Sequence, residues 1–371
     1  MSTAGSGVDP AWGALCEKRP AGRPYRLDDS GREFFAAALP DDYRAHPDIP
    51  RNLSHFLDRG GLIALDAALQ AVAMADLGAG AGDSRRFALS DGQAYRAPGQ
   101  PTLFVPYGQL VARALGTRGP VILSGGHNAS GMAAIAAAVR LLRRGDADVV
   151  VCGAAQALQT NILEHAQGEG WCAPAAPRPL DREHAGTTPG EGAAYLVLET
   201  ESHARERGVE PVAAIAGLGE IFDPGAEPLQ VSEAPEAGRT MQAALGDSGY
   251  LQNQVDIVVS CADGRPDVDY ADADGIRRTF GRHAYYAGVT TAAGSLGHTF
   301  AASGPVSLVV ALEALRRQEA PPIAGFTEGE GEPPLAHITE QRQERLDCAL
   351  VTSLGAGGTN VSFVLQRPPG A

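Results

Sequence analysis

Past residue 120 the chain alternates between short β-branched runs and longer helical ones, the pattern of an α/β protein. PVILSGG (120–126) predicts a strand, and SGMAAIAAAVRLLRR (130–144) a helix with Met132, Ile135, Val139 and Leu142 inward. DVVVCGA (148–154) predicts a buried strand, which completes a βαβ unit. YLVLE (195–199), VAAIAGLGE (212–220) and DIVVSCADG (256–264) predict further strands, followed by helices over ADADGIRRTFG and SGPVSLVVALEALRR (303–317). The chain closes with a strand DCALVTS (347–353), a glycine turn (355–360) and an alternating strand VSFVLQ (361–366).

Upstream, GLIALDAALQAVAMAD (61–76) places Leu62, Leu65, Leu69, Val72 and Met74 near one stripe of an amphipathic helix, ended by Gly78, Gly80 and Gly82. The first 60 residues have weak periodicity and read as an irregular segment with a few anchoring aromatics. The two later portions, 61–200 and 201–371, share an order of elements without a residue-level repeat. No Gly/Ser-rich or charged linker parts them, so they are expected to form one integrated unit.

Composition narrows the classes. The 371 residues suffice for a substantial core, and 44% hydrophobic with 20% charged residues excludes a disordered chain. A formal net charge of −14 has the wrong sign for binding nucleic acid or anionic lipid. The five cysteines, Cys16, Cys152, Cys172, Cys261 and Cys348, are odd in number and never arranged as CxxC, so they read as reduced thiols. No stretch has the apolar length of a membrane span and the N-terminus lacks a signal-peptide pattern, so a cytoplasmic protein is expected. No phosphate loop, zinc signature or complete dinucleotide fingerprint is present, and neither a metal nor a cofactor is expected.

Three segments carry candidate chemistry. In SGGHNASGMAAI (124–135) a strand turns through small residues into a helix N-terminus, where backbone N–H groups and the dipole favour a nucleophile or an oxyanion. The elbow residue is Asn128 or His127, and an amide, its lone pair delocalised, is no nucleophile. The plainer reading has Asn128 and Ser130 capping the helix. In RPLDREHAGTTPGEGAAYLVLE (178–199), Asp181 and Glu191 read as loop braces rather than catalysts. In AAGSLGHTFAASGP (292–305), His298 sits in a small-residue loop before an apolar helix.

Taken in order, with SLGAGGTNVSFVLQ (353–366), these segments resemble the β-ketoacyl synthase family of the thiolase superfamily. The resemblance covers the chain from about Trp12 onward. It implies a thiolase fold, two pseudo-symmetric halves in a five-layer αβαβα sandwich, and decarboxylative condensation of an acyl thioester with a malonyl thioester held on acyl carrier protein. It also implies a Cys nucleophile at the elbow, two His and a supporting Lys.

Position by position, Asn128 stands where that Cys belongs. The first His-Gly-Thr-x-Thr-Pro run is here Cys261-Ala262-Asp263-Gly264-Arg265-Pro266, and Ala293 replaces the Lys five residues before the retained His298. Each lost group normally contributes ~10²–10⁴ in rate, so no route to condensation is left. With its Ala-Asp-Gly and Pro-x-x-Asp pattern, the chain most resembles the chain-length factor, the degenerate ketosynthase partner of type II polyketide synthases.

The resemblance implies a heterodimer with an active ketosynthase that shapes the acyl tunnel for polyketide or polyene elongation, with acyl carrier protein engaged through the complex. The alternatives are a repurposed thiolase-fold enzyme using Cys261 or His298 for acyl transfer, hydrolysis or malonyl decarboxylation, and a homodimeric scaffold that binds acyl chains. Chain-length factors commonly carry Gln at the elbow, where this chain has the shorter Asn128. Between Leu77 and Pro120 the chain is short for the family's dimer-side excursion. FVPYGQLVARALG (104–116) is expected to fill that place, with Phe104 and Tyr107 facing the tunnel or the interface.

Overall fold

The computed structural model describes residues 1–26, 32–45, 47–49, 53, 56–77, 85–94 and 106–368. Within them, ten strands build two sheets. The first holds β1 (Phe87–Gly92), β2 (Val121–Ser124), β3 (Val149–Gln156) and β4 (Gly192–Glu199) in the order β2-β1-β3-β4. The second holds β5 (Ala214–Phe222), β6 (Ile257–Ser260), β7 (Gly288–Thr291), β8 (Ala336–His337), β9 (Cys348–Leu354) and β10 (Thr359–Gln366) in the order β8-β7-β6-β9-β10-β5. Each sheet has a parallel core, β2-β1-β3 and β7-β6-β9, continued by an antiparallel strand, β4 or β10. That repetition of pairing is the pseudo-symmetry of the two halves.

Seven helices frame the sheets: α1 (Val8–Cys16), α2 (Arg59–Met74), α3 (Tyr107–Leu115), α4 (Ser130–Arg143), α5 (Ala234–Ser248), α6 (Pro266–Phe280) and α7 (Ser303–Arg317). Helices α2 and α3 pack on the outer face of the first sheet around Ile63, Leu89, Val111 and Val151. Helices α5 and α6 cover the outer face of the second around Met241, Ile276, Val258 and Leu350. Between the sheets lie α4 and α7, in a core that joins Met132, Ile135 and Val150 to Leu308, Leu315, Val259 and Phe363. The layers are αβαβα.

Both middle helices must come very close to their neighbours. A Cβ on Gly131 would lie 2.4 Å from the Pro305 ring, and one on Gly304 would lie 2.2 Å from Met132. Two glycines, one per half, thus let α4 and α7 cross in contact.

The glycines of GLGE, incomplete as a nucleotide signature, have a similar packing role. A Cβ on Gly217 or Gly219 would meet the carbonyl oxygens of Ala244 or Thr240 on α5 at 2.1 Å.

Several expectations need correction. The opening segment contains helix α1, whose Trp12 and Leu15 are buried and whose Trp12 Nε1 donates to Glu319 at 3.0 Å. A short antiparallel ribbon, Arg23–Tyr25 with Phe34–Ala36, follows it. In α2 only Leu65 of the expected stripe is fully buried; Leu62, Leu69 and Val72 are half-buried and Met74 is 72% exposed. Ile63, Ala64, Ala67 and Ala68 form the buried face instead, because small side chains let the helix sit close to the sheet. Leu142 of α4 is half-buried at the edge of the middle core. Gly78, Gly80, Gly82 and Phe104 lie outside the described residues. No helix among the described residues is long and apolar enough to cross a membrane.

Candidate functional site

A cavity of about 30 Å³ lies where loops leaving β2, β6 and β7 meet the end of β9. Crevices at the carboxyl ends of strands are where open α/β sheets gather polar groups. Asn128, Cys261, Ala293 and His298, which reach this wall from three different loops, all line it. Tyr107 does not. Helix α3 lies on the far side of the first sheet, where the Tyr107 ring is 5% exposed and its hydroxyl donates to Asp58 at 3.1 Å.

The elbow after β2 is a 3₁₀ turn, His127–Ala129, that leads into α4. His127 holds φ +50°, unusual for a residue with a Cβ, after Gly126 at φ +144°. The same device recurs in the other half, where Phe300 at φ +48° opens a 3₁₀ turn into α7.

The capping reading of Asn128 and Ser130 does not hold, because the 3₁₀ turn takes the chain past the point where an N-cap would act. No side chain caps α4, and the Ser130 hydroxyl donates back to the His127 carbonyl at 2.6 Å. Asn128 is buried, with its amide making no hydrogen bond among the described residues. It occupies the elbow without any group that could attack a thioester.

The opposite wall carries a buried charge cluster. Arg265 is 3% exposed; its Nε donates to Asp263 at 3.1 and 3.3 Å, and its guanidinium carbon lies 5.1 Å from the Trp171 ring centre. His298 Nδ1 lies 3.0 Å from Asp263 Oδ2, and the His298 ring meets Phe300 edge-on. Burial alone would raise the Asp263 carboxyl, but Arg265 first and then His298 hold it down at about 2, so it is ionised.

Asp269 secures this loop from α6 by accepting from the backbone N–H groups of Asp263 and Gly264 at 2.9 and 3.0 Å. It also accepts from Leu180 N at 2.6 Å and faces His184 Nδ1 at 3.1 Å.

Cys261 is half-buried, and its backbone N–H donates to Thr352 Oγ1 at 3.1 Å. Burial, followed by the charge of Asp272, pushes its thiol well above the ordinary range, so at neutral pH it is protonated and poorly nucleophilic. Ala293 opens a short helix, Ala293–Leu296, and brings no charge to the cavity. Asp181 and Glu191 are loop braces. Asp181 accepts from Glu183 N and Glu328 N at 2.9 and 3.0 Å, while Glu191 accepts from Leu39 N at 3.0 Å and pairs with Arg59. Among the described residues no group of three His, Cys, Asp or Glu converges as metal ligands would.

Sequence reasoning noticed Asp263 as part of a pattern and gave Arg265 no role. The available signal was two opposite charges two residues apart, between a buried strand, Ile257–Ser260, and a helix that starts with Pro266. Charged side chains in turns are normally solvated, so their burial follows only from the packing of the loop.

Comparisons with known proteins agree with this architecture. Residues 55–204 match the β-ketoacyl synthase N-terminal domain and residues 212–327 its C-terminal domain. Nodulation protein E of Rhizobium leguminosarum bv. trifolii is 29% identical over 345 residues, 86% of this chain and 85% of that one. A crystal structure of a β-ketoacyl synthase from Burkholderia phymatum superposes with a TM-score of 0.88 at 25% identity, covering 99% of this chain and 97% of that one. The ishigamide ketosynthase/chain length factor structure superposes with a TM-score of 0.90 at 23% identity, over 99% and 97%.

Proposed function

This chain belongs to the β-ketoacyl synthase family, and from that premise we propose that it is a catalytically silent member of the chain-length-factor kind. It pairs with an active ketosynthase and helps to shape the acyl tunnel in polyketide elongation. The observation that carries this reading is Asn128 at the elbow of a cavity whose only thiol among the described lining residues, Cys261, is held protonated. Condensation needs a thiolate to take the acyl group, and the cavity offers none. The absence of a cation at Ala293 and of a histidine at 261 points the same way.

Co-expression with a ketosynthase encoded beside this chain tests the proposal. The expected result is a stable 1:1 complex and a change in product length when this chain is left out. A chain that purifies alone as a stable monomer or homodimer, beside a ketosynthase that reaches the same length without it, sinks the proposal. A second reading, malonyl decarboxylation through His298, is favoured by the Asp263 contact that orients that ring. Release of CO₂ from malonyl thioester by this chain, abolished in His298→Ala, would support it.

A further inference from the structure

Loop 177–187 of the first half lies against the second half, and one carboxylate ties the two together. Gly186 N donates to the Gly264 carbonyl at 2.8 Å, and a Cβ on Gly264 would lie 2.3 Å from the Gly186 carbonyl oxygen. Asp269 of α6 grips both sides of this seam. It accepts from Leu180 N at 2.6 Å on the first half, and from Asp263 N and Gly264 N at 2.9 and 3.0 Å on the second. Its fourth contact is His184 Nδ1, at 3.1 Å. A carboxyl that accepts from four donors has no room for a proton of its own, so Asp269 is ionised and a charged imidazole is its strongest partner.

Of the four donors only His184 can change its charge. Its side chain is 8% exposed and meets the Tyr270 ring edge-on, just beneath the surface. The charged groups around it come from three elements. On α6 stand Asp269 and Tyr270, whose hydroxyl donates to Glu330 at 3.1 Å. Segment 326–332 brings Glu330 near the ring, while Glu328 is taken by Arg182 at 2.7 Å. On its own loop Asp181 acts on the ring, and Arg178 is paired with Asp181 and Glu183. Asp263, beyond Asp269, is balanced by Arg265. The hydrogen bond to Asp269 outweighs burial and, with the charges of Asp269, Glu330 and Asp181, raises the ring above the ordinary 6.5.

We propose that His184 and Asp269 form a proton-controlled latch across this seam, in which loss of the His184 proton to solvent loosens loop 177–187 and, with it, the loop 261–266 that walls the cavity. A neutral ring still touches Asp269 but no longer balances its buried charge. His184 is thus a positioning residue that sets how firmly the Asp263–Arg265 pair is held. The latch lies within this chain and holds whether or not a ketosynthase pairs with it.

Amide hydrogen exchange from about pH 6 to about pH 9 tests it, read as protection factors so that the intrinsic effect of hydroxide is divided out. The closed latch keeps a proton that the open one releases. Protection at Leu180, Asp263 and Gly264 in the wild type should therefore be full below 6.5 and fall by up to about tenfold per pH unit from there to the raised midpoint of His184. His184→Asn, which carries no charge, should show the weak protection at every pH, and His184→Arg, which keeps its charge, the strong protection. Should one variant fail to fold, the other supplies the comparison. Asp91, whose buried carboxyl stands at about 7, titrates in the same window, but its effect is common to all three proteins and cancels in the differences. Protection that does not fall in the wild type, or that falls equally in a folded variant, overturns the proposal.

Discussion

Two aspartates, one in each half, are buried to the same degree and behave in opposite ways. Asp91 on β1 is 2% exposed and Asp263 beside the cavity is 1% exposed. Asp91 accepts only from neutral donors, the Tyr195 hydroxyl and the Gly108 N–H at 2.9 Å, and burial pushes its carboxyl up to about 7. Asp263 suffers the same burial but has Arg265 and His298 beside it, and is held at about 2. Burial alone therefore does not set the charge of a buried acid; the neighbouring cation does. The first half uses its aspartate to tie α3 to the sheet, and the second builds its cavity wall around a permanent ion pair.

The comparison breaks most severely if the cation is removed. Arg265→Gln should cost about 3–5 kcal/mol of stability, because the buried Asp263 carboxylate loses its guanidinium and keeps only His298 and a backbone N–H beside it. Urea unfolding of the variant measures this, and a loss near zero would mean that the pair contributes nothing to the fold.

Next in size is the effect of Asp91. Its folded value lies above the ordinary 3.8, so its contribution to stability is complete below about pH 4 and lost as the pH rises through 7, by roughly 4 kcal/mol. Asp91→Asn should flatten that slope in unfolding curves recorded at several pH values.

Asp263 has the reverse sign. Its folded value lies below 3.8, so its contribution is present above that pH and lost as the pH falls through 2, by roughly 2 kcal/mol. Acid titration of the wild type against Asp263→Asn isolates it. The smallest expected effect is on activity. Restoring a thiol alone with Asn128→Cys should leave condensation undetectable in a carrier-protein assay, because position 261 and Ala293 still lack their partners. Turnover by that single variant would mean that the rest of the cavity is catalytically intact.

Most strands of the sheets and the middle helices were readable because their residues repeat with a clear period, whereas Phe87–Gly92, Gly288–Thr291 and Ala336–His337 are strands that the sequence analysis did not anticipate. Val149–Gln156 is an unbroken buried run, and Ser303–Arg317 begins and ends where the apolar pattern does. Helix α1 was not readable: Pro10 and Gly13 interrupt a nine-residue helix, and what holds it is a distant contact, Trp12 with Glu319 and the Arg317 guanidinium. The site divides in the same way. Asn128, Cys261, Ala293 and His298 could be placed by motif order. The pairing of Asp263 with Arg265 depends on a loop that folds inward under Asp269, and no local periodicity records that.

The crossing of α4 and α7 through Gly131 and Gly304 bears on how the chain could be divided. Residues 205–211 fall between the two matched domains and would be the natural place to cut. Each fragment would then carry one helix of the middle layer and leave its apolar side open to water, since Met132 and Leu308 share a single core. Severed halves should therefore be insoluble apart and recover the fold only by complementing one another, and a methyl group at either glycine should block that reunion.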